Sequence, residues 1–456
     1  MTRQGEARQS VLVVGGGFSG VLTALHLLFD QTGPQVRLVE RRGVFGRGLA
    51  YSTQHAEHLL NVRAANMSAF PDQLDHFTSW LAEHRGSGAG PFVTRRVYGE
   101  YLQSMLRAAV DGRFGVDRLL LEVDEVVDLA PLDGRWRAQT SMGRELWSDA
   151  VVLATGVAPT PPPPGASSEL LASGLYVGDP WRRPIIDDEL GSDVLLLGTG
   201  LTMVDVALML ERPGRRFTAI SRRGLTPHAH GEAPPTARRA PLEGSPVEAL
   251  AELRRRSRAG DWREVIDHAR ESASALWRSW SLVQRRQFLR HARPWWDTHR
   301  HRMAPPVAAR IREMQQRGDL VVAAGATQRL ELDGTQVKVE WRPRGSRRTQ
   351  VARFDAVVNC TGQGGDIGRG DPPLLGVLLR RGLIRPDPCS LGVDVDALSR
   401  PLAQGGHASE GLFAVGPITR GGEWEITSVP DIRRQAQDVA GRVREGLRGD
   451  REPAKA

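Results

Sequence analysis

The sequence contains few cysteines, almost no lysine and no long apolar run. Its 456 residues include two cysteines, Cys360 and Cys389. This number excludes a disulfide scaffold, a cysteine-rich zinc site and a CxxC redox pair. No apolar run approaches the roughly 18–20 residues that a membrane-spanning helix needs. Because the polar segment Met1–Ser10 precedes the first apolar strand, we expect no signal peptide and a cytosolic protein.

The basic residues are almost all arginine, and their excess lies in one segment. The formal net charge is +8, and residues 251–320 contain 16 arginines against eight acidic residues, so this segment accounts for the whole excess. The segment also holds five of the 11 tryptophans. Arginine with aromatic residues is typical of a surface for an acidic partner. No nucleic-acid motif accompanies the pattern, so we expect neither a nucleic-acid nor a membrane partner.

The first apolar strand leads into a glycine-rich turn. Val11–Val14 is followed by Gly15-Gly16-Gly17-Phe18-Ser19-Gly20, an apolar helical pattern and a second strand that ends at Glu40. Such glycines permit a tight turn and close approach to a pyrophosphate, which lies at the helix N-terminus. Glu40 has the spacing of an acid that binds ribose hydroxyls. The unit predicts dinucleotide binding; a turn that serves packing alone is the alternative.

The same unit recurs in the middle of the chain. A strand at Val194–Leu197 enters Gly198-Thr199-Gly200-Leu201-Thr202-Met203, and the next strand ends at Ser221-Arg222-Arg223 without an acid. Arginine pairs with a 2′-phosphate, which a carboxylate would repel. We therefore predict NADPH rather than NADH here, although two solvated arginines are the alternative. The predicted NADPH-binding residues are Gly198, Thr199, Gly200, Thr202, Ser221, Arg222 and Arg223.

A further internal similarity indicates a duplication. Trp136–Gly156 and Val337–Gly362 each have the pattern of a β-meander that returns to a strand ending at Thr-Gly. The predicted fold class is α/β, with two Rossmann-like dinucleotide-binding domains, the NADP domain inserted in the FAD domain, and a helical insertion. The predicted boundaries are 1–165 and 360–456 for the FAD-binding domain, 166–359 for the NAD(P)H-binding domain, and about 225–315 for the basic insert between Pro234-Pro235 and Pro305-Pro306.

Two dinucleotide sites of different character suggest hydride transfer from NADPH to a tightly held FAD. Without a CxxC pair, the electrons pass to an external acceptor or to oxygen. Reduced flavin and oxygen give a C4a-hydroperoxide, which needs a dry, shielded pocket. The first hypothesis is therefore a monooxygenase that hydroxylates a small amine, amino acid or purine-like ring with O2. A flavin reductase or electron-transfer protein and a nucleotide-sensing binding protein are the alternatives, and the oligomeric state stays open.

Four stretches give the chain a more specific resemblance. It resembles the bacterial FAD/NAD(P)-binding flavoproteins that carry both fingerprints and a helical insert. It is more distantly similar to N-hydroxylating and Baeyer–Villiger-type flavin monooxygenases. The stretches are Gly48–Tyr51 with His58–Val62 and Met67-Ser68; Arg96–Tyr101; Trp296–Pro305; and Gly416-Pro417 with Trp424–Thr427 and Pro430.

The resemblance implies the residues of an FAD site. Thr427 would lie near the flavin, because the helix that begins near Pro430 would point its N-terminus at it and stabilise negative charge there. Arg63 stands where the family pattern has proline, and Asp431 where it has glutamate. The full predicted FAD set is Gly15, Gly17, Phe18, Ser19, Gly20, Glu40, Asn61, Met67, Val126, Thr155, Gly156, Gly416 and Thr427.

The densest polar and aromatic cluster of the insert is Trp295–Arg302. His299 and His301 are predicted proton carriers, and Arg300 and Arg302 could clamp a carboxylate or a urate-like anion. In a strand, the two histidines would share one face. An interdomain salt-bridge cluster is the alternative, just as a helical cap with a tryptophan core is the alternative to a lid. Glu425 is a predicted base, with a simple loop charge favoured for it.

Two histidine pairs raise the question of a metal site. His299 and His301 lack a third ligand at fixed spacing, so no metal is expected. His228 and His230 follow Arg223 closely and are predicted to border NADPH rather than a metal.

Overall fold

The computed structural model describes residues 8–86, 90–112, 117–157, 160–181, 185, 190–231, 240–362, 364–368 and 373–449. The chain forms two compact units. Unit 1 consists of Met1–Ser52, Arg63–Ala158 and Gly365–Ala456, and unit 2 consists of Thr53–Val62 and Pro159–Gly364. The short segment 53–62, which was predicted to belong to the FAD-binding domain, clusters with unit 2. A hydrogen bond connects this segment to the rest of unit 2, since the Nε2 atom of His58 lies 2.9 Å from the carbonyl oxygen of Asp205.

Unit 1 is built on a five-stranded parallel sheet. The three strands Ser10–Val14, Ala150–Leu153 and Leu412–Ala414 are short apolar runs that are almost entirely buried, as expected for a parallel sheet covered on both faces, whereas Leu120 and Leu121 of the edge strand are exposed. All four strand pairs are parallel. In spatial order the strands are β15 (Leu412–Ala414), β7 (Ala150–Leu153), β1 (Ser10–Val14), β2 (Gln35–Val39) and β3 (Leu119–Glu122).

Helices and a small antiparallel sheet complete unit 1. Helix α1 (Phe18–Leu28) is buried along its whole length and packs against α12 (Val429–Gly449) and α3 (Arg95–Val110). Its largely apolar sequence explains this position, because a helix that is apolar on most sides is buried. The remaining elements are α2 (His76–Arg85), α11 (Pro373–Arg380), 3₁₀ turns at Ala64–Asn66 and Pro417–Thr419, and the antiparallel strands β4 (Val126–Leu132), β5 (Arg135–Thr140) and β6 (Glu145–Ser148).

Unit 2 contains a seven-stranded mixed sheet. Five neighbouring strands are parallel, and the longest of them continues into an antiparallel meander at one edge. In spatial order the strands are β13 (Gln350–Phe354), β12 (Gln336–Pro343), β11 (Leu320–Asp333), β10 (Arg216–Ser221), β9 (Asp193–Leu197), β14 (Ala356–Asn359) and β8 (Tyr176–Val177). The helices outside the insert are α4 (Ser168–Ala172), α5 (Leu201–Leu210) and α10 (Pro305–Arg317).

The basic insert of unit 2 is helical. A π-helical turn at Phe288–Ala292 joins two of its helices, and Trp277 and Trp280 are buried with Phe288 at its centre. Ser245, Asp261 and Ser281 cap the helices through their side chains. The helices are α6 (Pro246–Arg258), α7 (Trp262–Ser279), α8 (Leu282–Gln287) and α9 (Arg293–Arg300).

The two proline pairs that were predicted to bound the insert have different outcomes. Pro305 and Pro306 follow the end of α9 and begin α10. Proline fits the first turn of a helix because the N–H groups there have no intrahelical partner. Pro234 and Pro235 lie outside the described residues. Throughout the described ranges, none of the helices has the length and apolar character needed to cross a membrane.

Candidate functional site

The glycines of the first turn are needed for different structural reasons. Gly15 has a φ of +107°, and a Cβ there would collide with the carbonyl oxygen of Ala154. A Cβ at Gly20 would collide with the carbonyl oxygen of Gly15. At Gly17, in contrast, a Cβ would meet only the Cα of Gly48, at an ordinary 3.5 Å. Packing therefore requires glycine at positions 15 and 20. At Gly17 the open space is the space that a pyrophosphate needs.

The predicted ribose-binding acid lies beside this turn. Oε2 of Glu40 accepts a hydrogen bond from the backbone N–H of Gly16 (2.9 Å), and Oε1 accepts one from that of Arg42 (3.0 Å). A carboxylate oxygen can accept a second hydrogen bond, so both oxygens retain capacity for hydroxyl donors. The N-terminus of α1 has no side-chain cap, and its first N–H groups remain for an anion.

Other predicted FAD residues follow the carboxyl ends of neighbouring strands. Thr155 and Gly156 follow β7, and Gly416 follows β15 by two residues. Gly416 has a φ of +81°, and a Cβ there would collide with the hydroxyl of Ser19. Because all strands of the sheet run in the same direction, these residues lie with Gly17 and Glu40 along the edge formed by the carboxyl ends of the strands. That edge is where open α/β sheets bind ligands.

Thr155 provides a direct test of whether a ligand fits this edge. Its Oγ1 atom is buried and has no hydrogen-bond partner among the described residues. A buried hydroxyl without a partner is costly, and a polar ligand group would satisfy it. The residues at this edge therefore fit a dinucleotide.

We expect Thr155→Val to weaken FAD binding without destabilising the apoprotein. The loss should be roughly 2–12-fold in Kd, the equivalent of one net hydrogen bond. Thr140→Val is the matched control, because its Oγ1 accepts from the backbone N–H of Arg144 at 3.1 Å. That variant should lose stability and keep its FAD affinity. Fluorescence titration with FAD measures the affinity, and thermal unfolding measures the stability. An unchanged FAD affinity in Thr155→Val would show that the Thr155 hydroxyl does not contact FAD.

The remaining predicted FAD residues are more dispersed. Met67 and Val126 are buried in unit 1, and Thr427 is exposed immediately before α12. Asn61 belongs to unit 2, where its carbonyl oxygen lies 2.9 Å from Nε2 of His230. Phe18 packs edge-on against Tyr51 with ring centroids 5.9 Å apart.

Tyr98 is a residue for which the sequence predicted no role. Its side chain is fully buried, its hydroxyl has no hydrogen-bond partner among the described residues, and its ring centroid lies 4.7 Å from that of Tyr51. Burial raises the pKa of Tyr98 well above its ordinary value. The sequence signal was available, since Tyr98 lies in the matched stretch Arg96–Tyr101.

The two departures from the family pattern are structurally accommodated. Arg63 has a φ of −63°, which is also the value that proline imposes, and its guanidinium lies 5.2 Å from the ring centroid of Phe92. Asp431 accepts a hydrogen bond from the hydroxyl of Ser428 in the first turn of α12.

The second fingerprint repeats the geometry of the first. Gly198 has a φ of +104°, and a Cβ there would collide with the carbonyl oxygen of Cys360, as at Gly15 and Ala154. Gly200 caps α5, and a Cβ added to it would have no atom within 4 Å. Thr199 bonds to Ser221 at 2.8 Å between the two hydroxyl oxygens, which ties the turn to the end of β10. Thr202 is half-buried in the first turn of α5.

The two predicted 2′-phosphate arginines differ in their surroundings. Arg222 is exposed, and in the described part of the chain no hydrogen bond or ion pair involves its guanidinium. Arg223 lies 6.0 Å from the ring centroid of Trp295, and its Nη2 donates to the carbonyl oxygen of Arg290 at 3.5 Å. Arg222 is therefore the better placed of the two for a phosphate.

The predicted catalytic cluster Trp295–Arg302 is helical up to Arg300 and is not a strand. His299 donates from Nδ1 to the carbonyl oxygen of Trp295 at 2.7 Å, while Nε2 of His301 lies 4.0 Å from Asp297. Arg302 is buried and paired with Asp267, and Arg300 is also buried. The condition for a shared face of the two histidines is therefore not met, because α9 separates successive side chains by about 100°. Within unit 2, His299 instead joins His228 and Trp262.

Glu425 is buried, with 3% of its surface exposed. It lies in the turn before α12, so it is a loop residue, as the favoured interpretation has it, but its carboxylate is not solvated. Its role as a base stays a prediction. Among the described residues, no group of three or more His, Cys, Asp or Glu side chains could hold a metal ion.

No disulfide joins Cys360 and Cys389. Cys360 lies in the apolar core of unit 2, and burial, with a smaller contribution from Asp205, raises the pKa of its thiol far above the ordinary value. Thiolate is the reactive form of cysteine, so this environment disfavours reaction at Cys360.

Two dinucleotide-binding folds, one inserted into the other, define the class of two-domain FAD/NAD(P)-binding flavoproteins. Residues 12–158 match a family described as FAD-NAD(P)-binding. The chain therefore contains an FAD/NAD(P)-binding domain, and the resemblance to these flavoproteins is confirmed.

One curated relative and two solved structures make the comparison more specific. L-aspartate N-monooxygenase (nitrosuccinate-forming) of Streptomyces cremeus is 33% identical over 214 residues, which span 41% of this chain and about a third (32%) of that protein. Ornithine hydroxylase of Pseudomonas aeruginosa, in its reduced form, has a TM-score of 0.66 at 15% identity, covering 97% of this chain and 100% of that one. Bacillithiol disulfide reductase of Bacillus cereus has a TM-score of 0.55 at 14% identity, covering 96% and 99%. Hydroxylases and reductases thus share this fold.

Proposed function

We propose that the protein is an FAD-dependent, NADPH-consuming monooxygenase that transfers an oxygen atom to the amino nitrogen of a small amino acid. The observation that carries the proposal is the pairing of two fingerprints of opposite character in one chain. One ends at Glu40, and the other ends at the exposed Arg222. The similarity to an L-aspartate N-monooxygenase supports nitrogen, rather than a purine ring carbon, as the atom oxidised.

The chain's own residues divide the work of binding. In unit 1, the N-terminus of α1, Glu40 and Thr155 would hold FAD. In unit 2, the N-terminus of α5 and Arg222 would hold NADPH. Bound FAD supplies hydride acceptance from NADPH and the transfer of one oxygen atom from O2.

The overall reaction balances as an amine, O2, NADPH and a proton giving a hydroxylamine, water and NADP+. The amine must attack as the neutral form, so a nearby group has to accept its proton. A neutral imidazole is a common proton acceptor in enzymes, and His228 of unit 2 is suited to this role. His228 is exposed, and no hydrogen bond involves its ring nitrogens in the described ranges.

A disulfide reductase is the function that the shared fold would equally suit. Such an enzyme needs two thiols that exchange electrons. The buried Cys360 with its raised pKa and the absence of a bond to Cys389 do not favour it.

Product stoichiometry tests the proposal. NADPH oxidation is measured with L-aspartate, L-ornithine and other amino acids, together with hydroxylamine and peroxide. The proposal predicts that one amino acid accelerates NADPH oxidation and yields close to one N-oxygenated product per NADPH. Electrons recovered entirely as peroxide with every amino acid, or oxygen-independent turnover with artificial acceptors alone, would contradict it.

A further inference from the structure

Two arginines and two histidines surround an aromatic ring at the start of α7. The ring centroid of Trp262 lies 5.1 Å from that of His228 and 5.0 Å from that of His299, and the two imidazoles are 4.6 Å apart. The guanidinium carbons of Arg263 and Arg302 lie 4.4 and 6.0 Å from the same Trp262 centroid. We name these five residues the Trp262 cluster.

Backbone bonds hold the cluster in place. The N–H of His228 donates to the carbonyl oxygen of Thr298 (3.2 Å), and the N–H of Met303 donates to that of His228 (2.8 Å). Nε of Arg263 donates to the carbonyl oxygen of Ala229 at 3.1 Å. The loop after β10 is therefore fixed between the start of α7 and the end of α9. A site that is already organised loses little entropy on binding.

Some hydrogen-bond donors of the Trp262 cluster have no partner among the described residues. Arg302 is 2% exposed and bonded to Asp267, and its Nε is buried without a partner among the described residues. Arg263 lies 3.8 Å from Asp261. Partial burial lowers the pKa of His228, and His299, Arg263 and Arg302 lower it further. The ion pair of Arg263 is long, at 3.8 Å, and the ring nitrogens of His228 make no hydrogen bond in the described ranges, so both side chains can bind a carboxylate.

The position of the Trp262 cluster relates it to the second fingerprint. The hydroxyl of Thr199, in the phosphate-binding turn, donates to the carbonyl oxygen of Leu225. His228 follows Leu225 by three residues in the same loop. An anion bound at His228 therefore lies a short loop away from the predicted NADPH site, within unit 2.

We propose that the Trp262 cluster binds the carboxylate of the small substrate, with Arg263, His228 and His299 as donors and Trp262 as the floor. The inference rests on the proposed function and names its substrate class: an amino acid recognised through a carboxylate. It replaces the sequence-based clamp of Arg300 and Arg302. Arg302 is paired with Asp267 and acts as a buried positive support behind the ring.

The test uses succinate, a dicarboxylate without an amine, added to the FAD-loaded protein. Calorimetry should show succinate binding that Arg263→Ala weakens by roughly 10–150-fold, the worth of a charged hydrogen bond. Arg254→Ala is the matched control, because Arg254 is an exposed arginine of the same insert, and it should bind succinate normally. Equal succinate affinity in both variants would overturn the proposal, and so would phosphate binding more tightly than succinate.

Histidine NMR supplies a second measurement that does not depend on turnover. Succinate should raise the pKa of His228, since an anion stabilises the imidazolium that its cationic neighbours disfavour. A His228→Gln variant identifies the signal. An unchanged His228 pKa at saturating succinate would overturn the proposal. If succinate binds but no amino acid is oxygenated, the proposed function fails alone; if oxygenation proceeds without succinate binding, only the Trp262 inference fails.

Discussion

We expect Gly17→Val to give a folded, colourless protein that no longer binds FAD. The fold tolerates the side chain, because a Cβ at this position meets only Gly48 at 3.5 Å. The ligand does not, since the valine methyl groups fill the space that the pyrophosphate needs at the N-terminus of α1. We expect loss of the flavin absorbance of the purified protein, with circular dichroism and secondary-structure content unchanged.

Gly200→Val is the matched control for this result. Its position caps α5 as Gly17 caps α1, and no atom lies within 4 Å of a Cβ built there. The variant should stay yellow but lose reduction by NADPH. A Gly17→Val protein that purifies with a normal flavin content would refute the first fingerprint.

Arg222→Ala should raise the Kd for NADPH by about 10–100-fold and leave that for NADH almost unchanged. The guanidinium is exposed and makes no hydrogen bond or ion pair in the described part of the chain, so it remains available for a 2′-phosphate. A bidentate arginine–phosphate pair is among the stronger charge-assisted hydrogen bonds. Anaerobic titration of flavin reduction with each nucleotide measures both affinities.

Arg223→Ala serves as the internal comparison. Its guanidinium already bonds to the carbonyl oxygen of Arg290 and lies over Trp295. The Kd for NADPH should therefore rise less in Arg223→Ala than in Arg222→Ala. Equal losses of NADPH and NADH affinity in Arg222→Ala would exclude a 2′-phosphate contact.

The strand–turn–helix units at the proposed nucleotide sites could be predicted because their signals are local. A buried strand, a glycine turn and an apolar helix follow one another within about 20 residues, and the strand-ending Glu40 and Arg222 mark the next element. The repeated Thr-Gly after β7 and β14 was equally visible. Parallel pairing then brings these strand ends to one edge of each sheet.

The insert could not be predicted in the same way because its contacts are not local. The pairing of Arg302 with Asp267 and the approach of His228 to Trp262 join residues more than 30 positions apart. The burial of Glu425 likewise depends on tertiary packing, and the sequence around a charged residue does not show that it is buried. The periodicity of a short polar–aromatic run is ambiguous, so the sequence alone could not decide whether His299 and His301 share a face.

Labelled oxygen tests the central claim most directly. The FAD-loaded protein is turned over with NADPH and L-aspartate, L-ornithine and further amino acids under ¹⁸O2, and the products are analysed by mass spectrometry. We predict an amino acid product that carries ¹⁸O on its amino nitrogen, with the second labelled atom in water. Oxidation of NADPH with all label recovered in hydrogen peroxide, and none in any amino acid, would contradict the claim.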